Sequence, residues 1–140
     1  MSGVEIILSP EVLAQVLAHC AELSPREAVG LLGGRAGGTV DVALPLVNIA
    51  SSDRAFIADP YSQFRAFRRL ESDGHDLLAI YHSHPGGGVH PSDEDLAYAE
   101  RWPCAHLIVA MPEGTGEGVR FGGFRRVADG IEDVAIRVPS

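Results

Sequence analysis

Tyr81-His82-Ser83-His84-Pro85-Gly86-Gly87-Gly88-Val89-His90-Pro91-Ser92-Asp93-Glu94-Asp95 joins three kinds of local structure. The apolar run Leu77 to Ile80 before it reads as a buried strand. The glycines after Pro85 read as a loop, and Ser92 opens a helical pattern. Two histidines therefore stand at the carboxyl end of a strand, where ligand sites in α/β sheets concentrate.

Residues two apart on a strand point to the same side. His82 and His84 can aim both imidazoles at one point, and the loop can return Asp95 to that point from the first turn of the next helix. Two imidazoles and a carboxylate, with a fourth position left to water, are a common way to hold catalytic zinc. Each part also has a plain structural role. Ser92 fits an N-cap with Asp95 three residues on, although Glu or Gln is the usual partner in a capping box. Asp93, Glu94 and Asp95 all suit the positive end of a helix dipole. An H-x-H pair alone is weak; the ordered set is far more specific.

His82-x-His84-Pro85, followed by Ser92-x-x-Asp95, resembles the signature of the JAMM (MPN-plus) metallopeptidases. That family also carries a glutamate before an apolar strand, and Arg26-Glu27-Ala28-Val29-Gly30-Leu31-Leu32 fits that place. The resemblance implies one zinc ion per chain held by His82, His84 and Asp95. It implies Glu27 as base for the attacking water and acid for the departing nitrogen, and Ser92 as a donor to the developing oxyanion. It implies a metallopeptidase or isopeptidase cutting after the Gly-Gly end of a ubiquitin-like protein, and a chain this short is most similar to bacterial members that act on sulfur carriers. The fold it implies is α/β: a three-layer sandwich with a curved mixed sheet between helices, related in outline to cytidine deaminases. A deaminase needs H-x-E and P-C-x-x-C; here the second position is His84, and Pro103-Cys104 lacks the second cysteine. The alternative is an inactive scaffold of the same fold, against which all the ligand types and the base are present.

From local chemistry alone, Ser24-Pro25-Arg26-Glu27 reads first as a capping box for a short turn and only second as an active-site glutamate; the downstream His-His-Asp set reverses that order.

At 140 residues the chain is expected to form a single domain spanning 1–140. The net charge of −8 argues against nucleic acid or an anionic membrane as partner. No apolar run is long enough to span a bilayer, and Cys20 and Cys104 give no disulfide framework, so a cytoplasmic location is expected. Nothing in the sequence bears on oligomeric state.

The remaining elements follow from periodicity. Val4 to Leu8 is expected as an edge strand, and Ser9-Pro10-Glu11 as the start of an amphipathic helix to about Leu23. Ala28 to Leu32 and Thr39 to Val47 read as strands joined by a glycine turn, with Val40, Val42, Leu44 and Leu46 on one face and Pro45 at an edge or bulge. Arg54 to Ala58 reads as a further short strand. Pro60 to Leu70 reads as a helix burying Tyr61, Phe64, Phe67 and Leu70, with Arg65, Arg68 and Arg69 opposite. His19 reads as a surface or satisfied histidine and His106 as one satisfied in the core, with His75 exposed and His90 exposed or peripheral. Ala105 to Met111 is a buried strand, Pro112 to Gly118 a loop, and Val119 to Val127 with Ile131 to Val138 a closing strand pair.

Overall fold

A computed structural model describes residues 5–112 and 118–139. The longest strand contains the histidine pair. It is β4, Asp76–Pro85, and the apolar run continues without a break through His82 and His84. It lies between β2, Val29–Gly34, which is antiparallel to it, and β5, Ala105–Met111, which is parallel. All residues of β2 and β5 are buried, as strands covered on both faces must be. The other strands are β1 (Glu5–Leu8), β3 (Thr39–Leu46), β6 (Arg120–Val127), β7 (Gly130–Asp133) and β8 (Ala135–Arg137). The order across the sheet is β7-β6-β5-β4-β2-β3-β1-β8.

Among the described residues, three helices cover this sheet on both faces. Helix α1, Pro10–Leu23, starts at a Ser9 cap and packs Val12, Val16 and Cys20 against Leu8, Val40, Tyr81 and Leu107. Helix α2, Pro60–Ser72, covers Leu31 and Ile80 on the opposite face with Ala66 and Leu70. Helix α3, Asp93–Arg101, places Ala99 beside Ile108 and Phe124 on that same face. The expected three-layer arrangement is thus present. Alternation along β4 sends Tyr81 and Ser83 to the α1 side, and Ile80, His82 and His84 to the side of α2 and α3.

The two outermost strands, β7 and β8, are neighbours in sequence with only Val134 between them. Asp133 pairs with β6, and Ala135 already pairs with β1. The Val134 N–H donates to the Gly123 carbonyl at 2.9 Å across this step. One segment therefore holds both ends of the sheet and curls it around α1. A Cβ on Gly123 would stand 2.4 Å from the Val134 carbonyl oxygen, so the close approach requires glycine.

Several expectations are corrected. Strand β1 is interior, between β3 and β8, because the last strand returns to cover it. On β3, Val40 and Ala43 face α1 while Val42, Leu44 and Leu46 face α2. A register shift at Gly33/Gly34 skips Asp41 and changes the side on which the apolar residues emerge. Pro45 does sit on a free edge, since β1 pairs with β3 only at Thr39 and Val40. Residues 54–58 form no strand; one bridge, Asn48 to Ala58, stands there. Tyr61 and Phe64 are 67% and 57% exposed, and Arg65 and Arg68 lie over their rings, so α2 buries a narrower stripe than its spacing suggested. His75 is half-buried near Asp41. The predicted 112–118 loop falls mostly on 113–117, outside the described residues.

Candidate metal centre

Strand β4 delivers the first two donors. His82 is paired across the ladder to Val29 on one side and Ile108 on the other, and its ring is 1% exposed. His84, one step further along the same face, is held at its other nitrogen: Nδ1–H donates to the Gly88 carbonyl at 2.8 Å. That bond fixes the tautomer and leaves the Nε2 lone pair facing inward. Gly86 makes the return possible, with φ of 72° just past the strand end.

Asp95 supplies the third donor. The Ser92 hydroxyl accepts from Asp95 N–H and the Asp95 carboxylate accepts from Ser92 N–H, both at 3.0 Å, a complete capping box. The box and the site share one atom. Oδ2 of Asp95 takes the Ser92 N–H and also lies 3.1 Å from His82 Nε2 and 3.0 Å from His84 Nε2. The cap aims the carboxylate. His82 Nε2 and His84 Nε2 are themselves 3.0 Å apart.

Three electron-pair donors thus form a nearly equilateral triangle. Such a cluster repels itself unless a proton or cation sits among them. Ligand atoms on a tetrahedral zinc ion with bonds of about 2.1 Å lie roughly 3.4 Å apart, so the donor set need open by only a few tenths of an ångström to hold that ion. Burial raises the Asp95 carboxyl, but the two imidazoles outweigh it and hold it well below the usual carboxylate range. Burial drives His82 toward its neutral, ligating form. Burial also opposes charge on His84, but the Asp95 and Gly88 oxygens win, and its proton affinity ends above the ordinary value.

Glu27 stands beside this triangle, 6% exposed. A carboxylate oxygen of Glu27 and one nitrogen from each of His82 and His84 all lie within 4.8 Å of one another. Two sets of three therefore share the histidines. Asp95 touches both rings, whereas Glu27 stands further off, so Asp95 is the better third ligand. Burial, reinforced by Asp95 and Glu94 and opposed by His84, pushes the Glu27 carboxyl up to about 7. No helix starts at Ser24; it ends α1, so the capping reading of Glu27 fails. Ser92 is exposed at the rim, and His90 is exposed and outside the cluster.

Sequence reading missed three residues that hold this arrangement. Ser83, between the histidines and on the opposite face, accepts from Ala28 N–H at 2.8 Å and so anchors the residue after Glu27. Asn48 donates to the Glu27 carbonyl at 2.8 Å and to the Ala55 carbonyl at 3.4 Å, and accepts from Ala50 and Ile57 N–H at 2.9 and 3.0 Å. Phe56, on the segment Asn48 organises, packs its ring 4.9 Å from that of His82. The only hint was an asparagine ending an apolar strand.

A curled mixed sheet with helices on both faces, carrying a His-His-Asp triangle and a buried glutamate, defines an MPN-type α/β domain. Residues 9–121 match the family described as prokaryotic homologs of the JAB domain, and the chain belongs to it, a bacterial-type member of the JAMM (MPN-plus) proteins. It is 38% identical over 121 residues to a probable TtuB-protein conjugate cleaving protease of Thermus thermophilus, covering 80% of each chain. It is 29% identical over 140 residues to a desampylase of Haloferax volcanii, covering 94% of this chain and all of that one. A protein from Desulfitobacterium hafniense solved in solution superposes with a TM-score of 0.86 at 30% identity, over 96% of this chain and 93% of that one.

Proposed function

We propose that this protein is a zinc-dependent metallopeptidase that hydrolyses the amide or isopeptide bond after the C-terminal Gly-Gly of a ubiquitin-like sulfur carrier. The observation that carries the reading is the convergence of His82 Nε2, His84 Nε2 and Asp95 Oδ2 to within 3.1 Å of one another, beside a buried Glu27. His82, His84 and Asp95 would hold the zinc. Bound there, zinc supplies Lewis acidity that polarises a carbonyl and lowers the pKa of water.

The protein's own groups do the rest. Glu27 takes a proton from the attacking water and returns it to the departing nitrogen, since a carboxyl lifted toward neutrality can both accept and donate. Ser92 keeps its oxygen on the Asp95 N–H and has its hydroxyl proton free for the developing oxyanion. Phe56 and the buried Val29 and Ile108 keep water off the far side of His82, which strengthens every charge interaction at the site.

The relatives that cleave TtuB conjugates and SAMP-type conjugates, by their names, support a ubiquitin-like partner. A diglycine end suits a narrow approach because it has no side chains to clash. The described residues share one eight-stranded sheet, which supports residues 1–140 as one working unit. No helix among them is long and apolar enough to cross a membrane. Two unpaired cysteines suit the cytoplasm, where we place the reaction.

The test is zinc-dependent cleavage of carrier fusions compared with linked ubiquitins. Release of the diglycine end from the carrier alone is expected. Stoichiometric zinc with no cleavage of either substrate overturns the hydrolase reading.

A further inference from the structure

We propose that Gly122 of β6 is a positioning residue for the metal centre: its missing side chain makes a berth for Val89, and Val89 docked there holds the Gly88 carbonyl on His84. The inference rests on the zinc centre of the reading above and adds to it a contact two strands away from the ligands.

Register puts Gly122 in line with the site. It pairs with Ile108 of β5, and Ile108 pairs with His82 of β4. Residues opposite one another in a sheet emerge on the same face, so Gly122 faces the side of His82 and α3. Phe124, two residues further along β6, packs on that side with Ile108 and Ala99. A Cβ on Gly122 would stand 2.8 Å from the Val89 Cβ and 2.9 Å from the Val89 carbonyl oxygen. Neither atom can rotate away, so Val89 occupies space that any other residue at 122 would fill. A glycine inside a strand marks this kind of close backbone approach.

Val89 is placed to act as a latch. Within residues 86–90 it alone is half-buried; the three glycines and His90 are exposed. The Gly86 N–H donates to the Met111 carbonyl at 2.6 Å and the Gly87 N–H to the His84 carbonyl at 3.1 Å, which secures the start of the loop. Val89 secures the part beyond Gly88. The Gly88 carbonyl and the Val89 nitrogen belong to one planar peptide unit, so a shift of Val89 carries that carbonyl with it. The carbonyl is the acceptor for His84 Nδ1–H at 2.8 Å. A metal-ligating imidazole is oriented by what its other nitrogen donates to, and disturbing that partner typically costs about 10–100-fold in metal affinity.

Two matched substitutions test this. Gly122→Ala and Gly123→Ala add the same methyl group to adjacent residues of one strand, on opposite faces. At Gly123 it meets the Val134 carbonyl oxygen at 2.4 Å, on the α1 side and away from the site. Zinc affinity is read by competition with a chromophoric chelator, at a temperature where circular dichroism shows every protein folded. Gly122→Ala should bind zinc about tenfold more weakly than wild type. Its His84 Nδ1–H, followed by NMR with isotope-labelled histidine, should exchange faster with solvent. Gly123→Ala should match wild type in both readouts. Val89→Gly, which empties the berth, should weaken zinc to a similar extent. The Gly122→Ala/Val89→Gly double variant should lose no more than either single one, because both break the same contact. Wild-type affinity in Gly122→Ala, an equal loss in Gly123→Ala, or additive losses in the double variant overturns the latch and leaves the zinc centre and the hydrolase reading standing. A folded wild-type protein that takes up no zinc overturns the centre and this inference with it.

Discussion

The side-chain amide of Asn48 donates to the backbone carbonyl of Glu27 at 2.8 Å, tying the candidate base to the loop that packs over His82. Four hydrogen bonds use both donors and both acceptor positions of that amide. Arg26 reinforces the same tie by donating to the Asn48 and Ala50 carbonyls. Asn48→Ala should lower unfolding stability by about 3 kcal/mol, since each orphaned buried partner costs about 1–3 kcal/mol. Asn48→Asp keeps the two accepted bonds and removes the donor to Glu27. It should retain zinc while kcat falls more than KM changes, and an unaltered kcat would show that this bond does not position the base.

Glu27→Gln should keep stoichiometric zinc and lose roughly 10²–10⁴-fold in kcat, the usual contribution of a general base. A second readout uses the zinc-free protein. The folded carboxyl sits at about 7, above its ordinary value, so its contribution to stability is full below about pH 4 and is lost as pH rises through 7. The wild-type minus Gln difference in unfolding free energy should therefore fall between those pH values. A flat difference would show that Glu27 is not held in a desolvated place.

His84→Ala and Asp95→Asn should each lose zinc on dialysis, measured by elemental analysis. In the wild type a chelator should lower the melting temperature, because a ligand that binds only the folded chain stabilises it by mass action. The His84→Ala variant should melt at one temperature with or without chelator. Retention of stoichiometric zinc by both variants would break the ligand assignment.

His106 predicts a further source of acid sensitivity. It is 1% exposed, donates from Nε2 to the Trp102 carbonyl at 2.8 Å and stacks on Phe124. Burial lowers its proton affinity below the ordinary 6.5 or so. A depressed histidine contributes stability above that ordinary value and loses it as pH falls through the folded one. His106→Phe should be less stable at pH 7.5, having lost its hydrogen bond to the Trp102 carbonyl, which keeps only the one from Cys104 N–H, yet lose less on acidification from about pH 6.5 to 5. Equal slopes for both proteins in urea titrations would remove His106 from this role.

Gly123→Ala tests the closure of the sheet. A Cβ there meets the Val134 backbone oxygen at 2.4 Å, which cannot rotate away. Overpacking of this kind costs about 1–3 kcal/mol. Hydrogen exchange should speed up in β7, β8 and β1 before β4 and β2, since only the closing segment is forced to move.

Local rules made part of this molecule legible. His82 and His84 share a face because strand side chains alternate, and Ser92 and Asp95 form their box because a helix start leaves its N–H groups unpaired. Those rules act over two to four residues, so order and spacing pointed to the candidate ligand set, and the family resemblance added Glu27 as the candidate base. The α1 and α3 boundaries followed from caps in the same way.

Other features depend on partners far along the chain. Tyr61 and Phe64 have the spacing of buried residues, yet α2 meets the sheet through Ala66 and Leu70, and where a helix docks is set by the surface that receives it. The face switch on β3 arises from a bulge against β2, and β1 lost its edge when Ala135 to Arg137 returned to pair with it. Asn48, Phe56 and Ser83 gain their roles only when the 48–58 segment, the start of β2 and the end of β4 are brought together. The sequence by itself determined which donors are present and which short elements carry them. Tertiary structure decided which carboxylate touches both imidazoles, what holds the candidate base and which apolar side chains stay in water, because those outcomes depend on contacts between residues tens of positions apart.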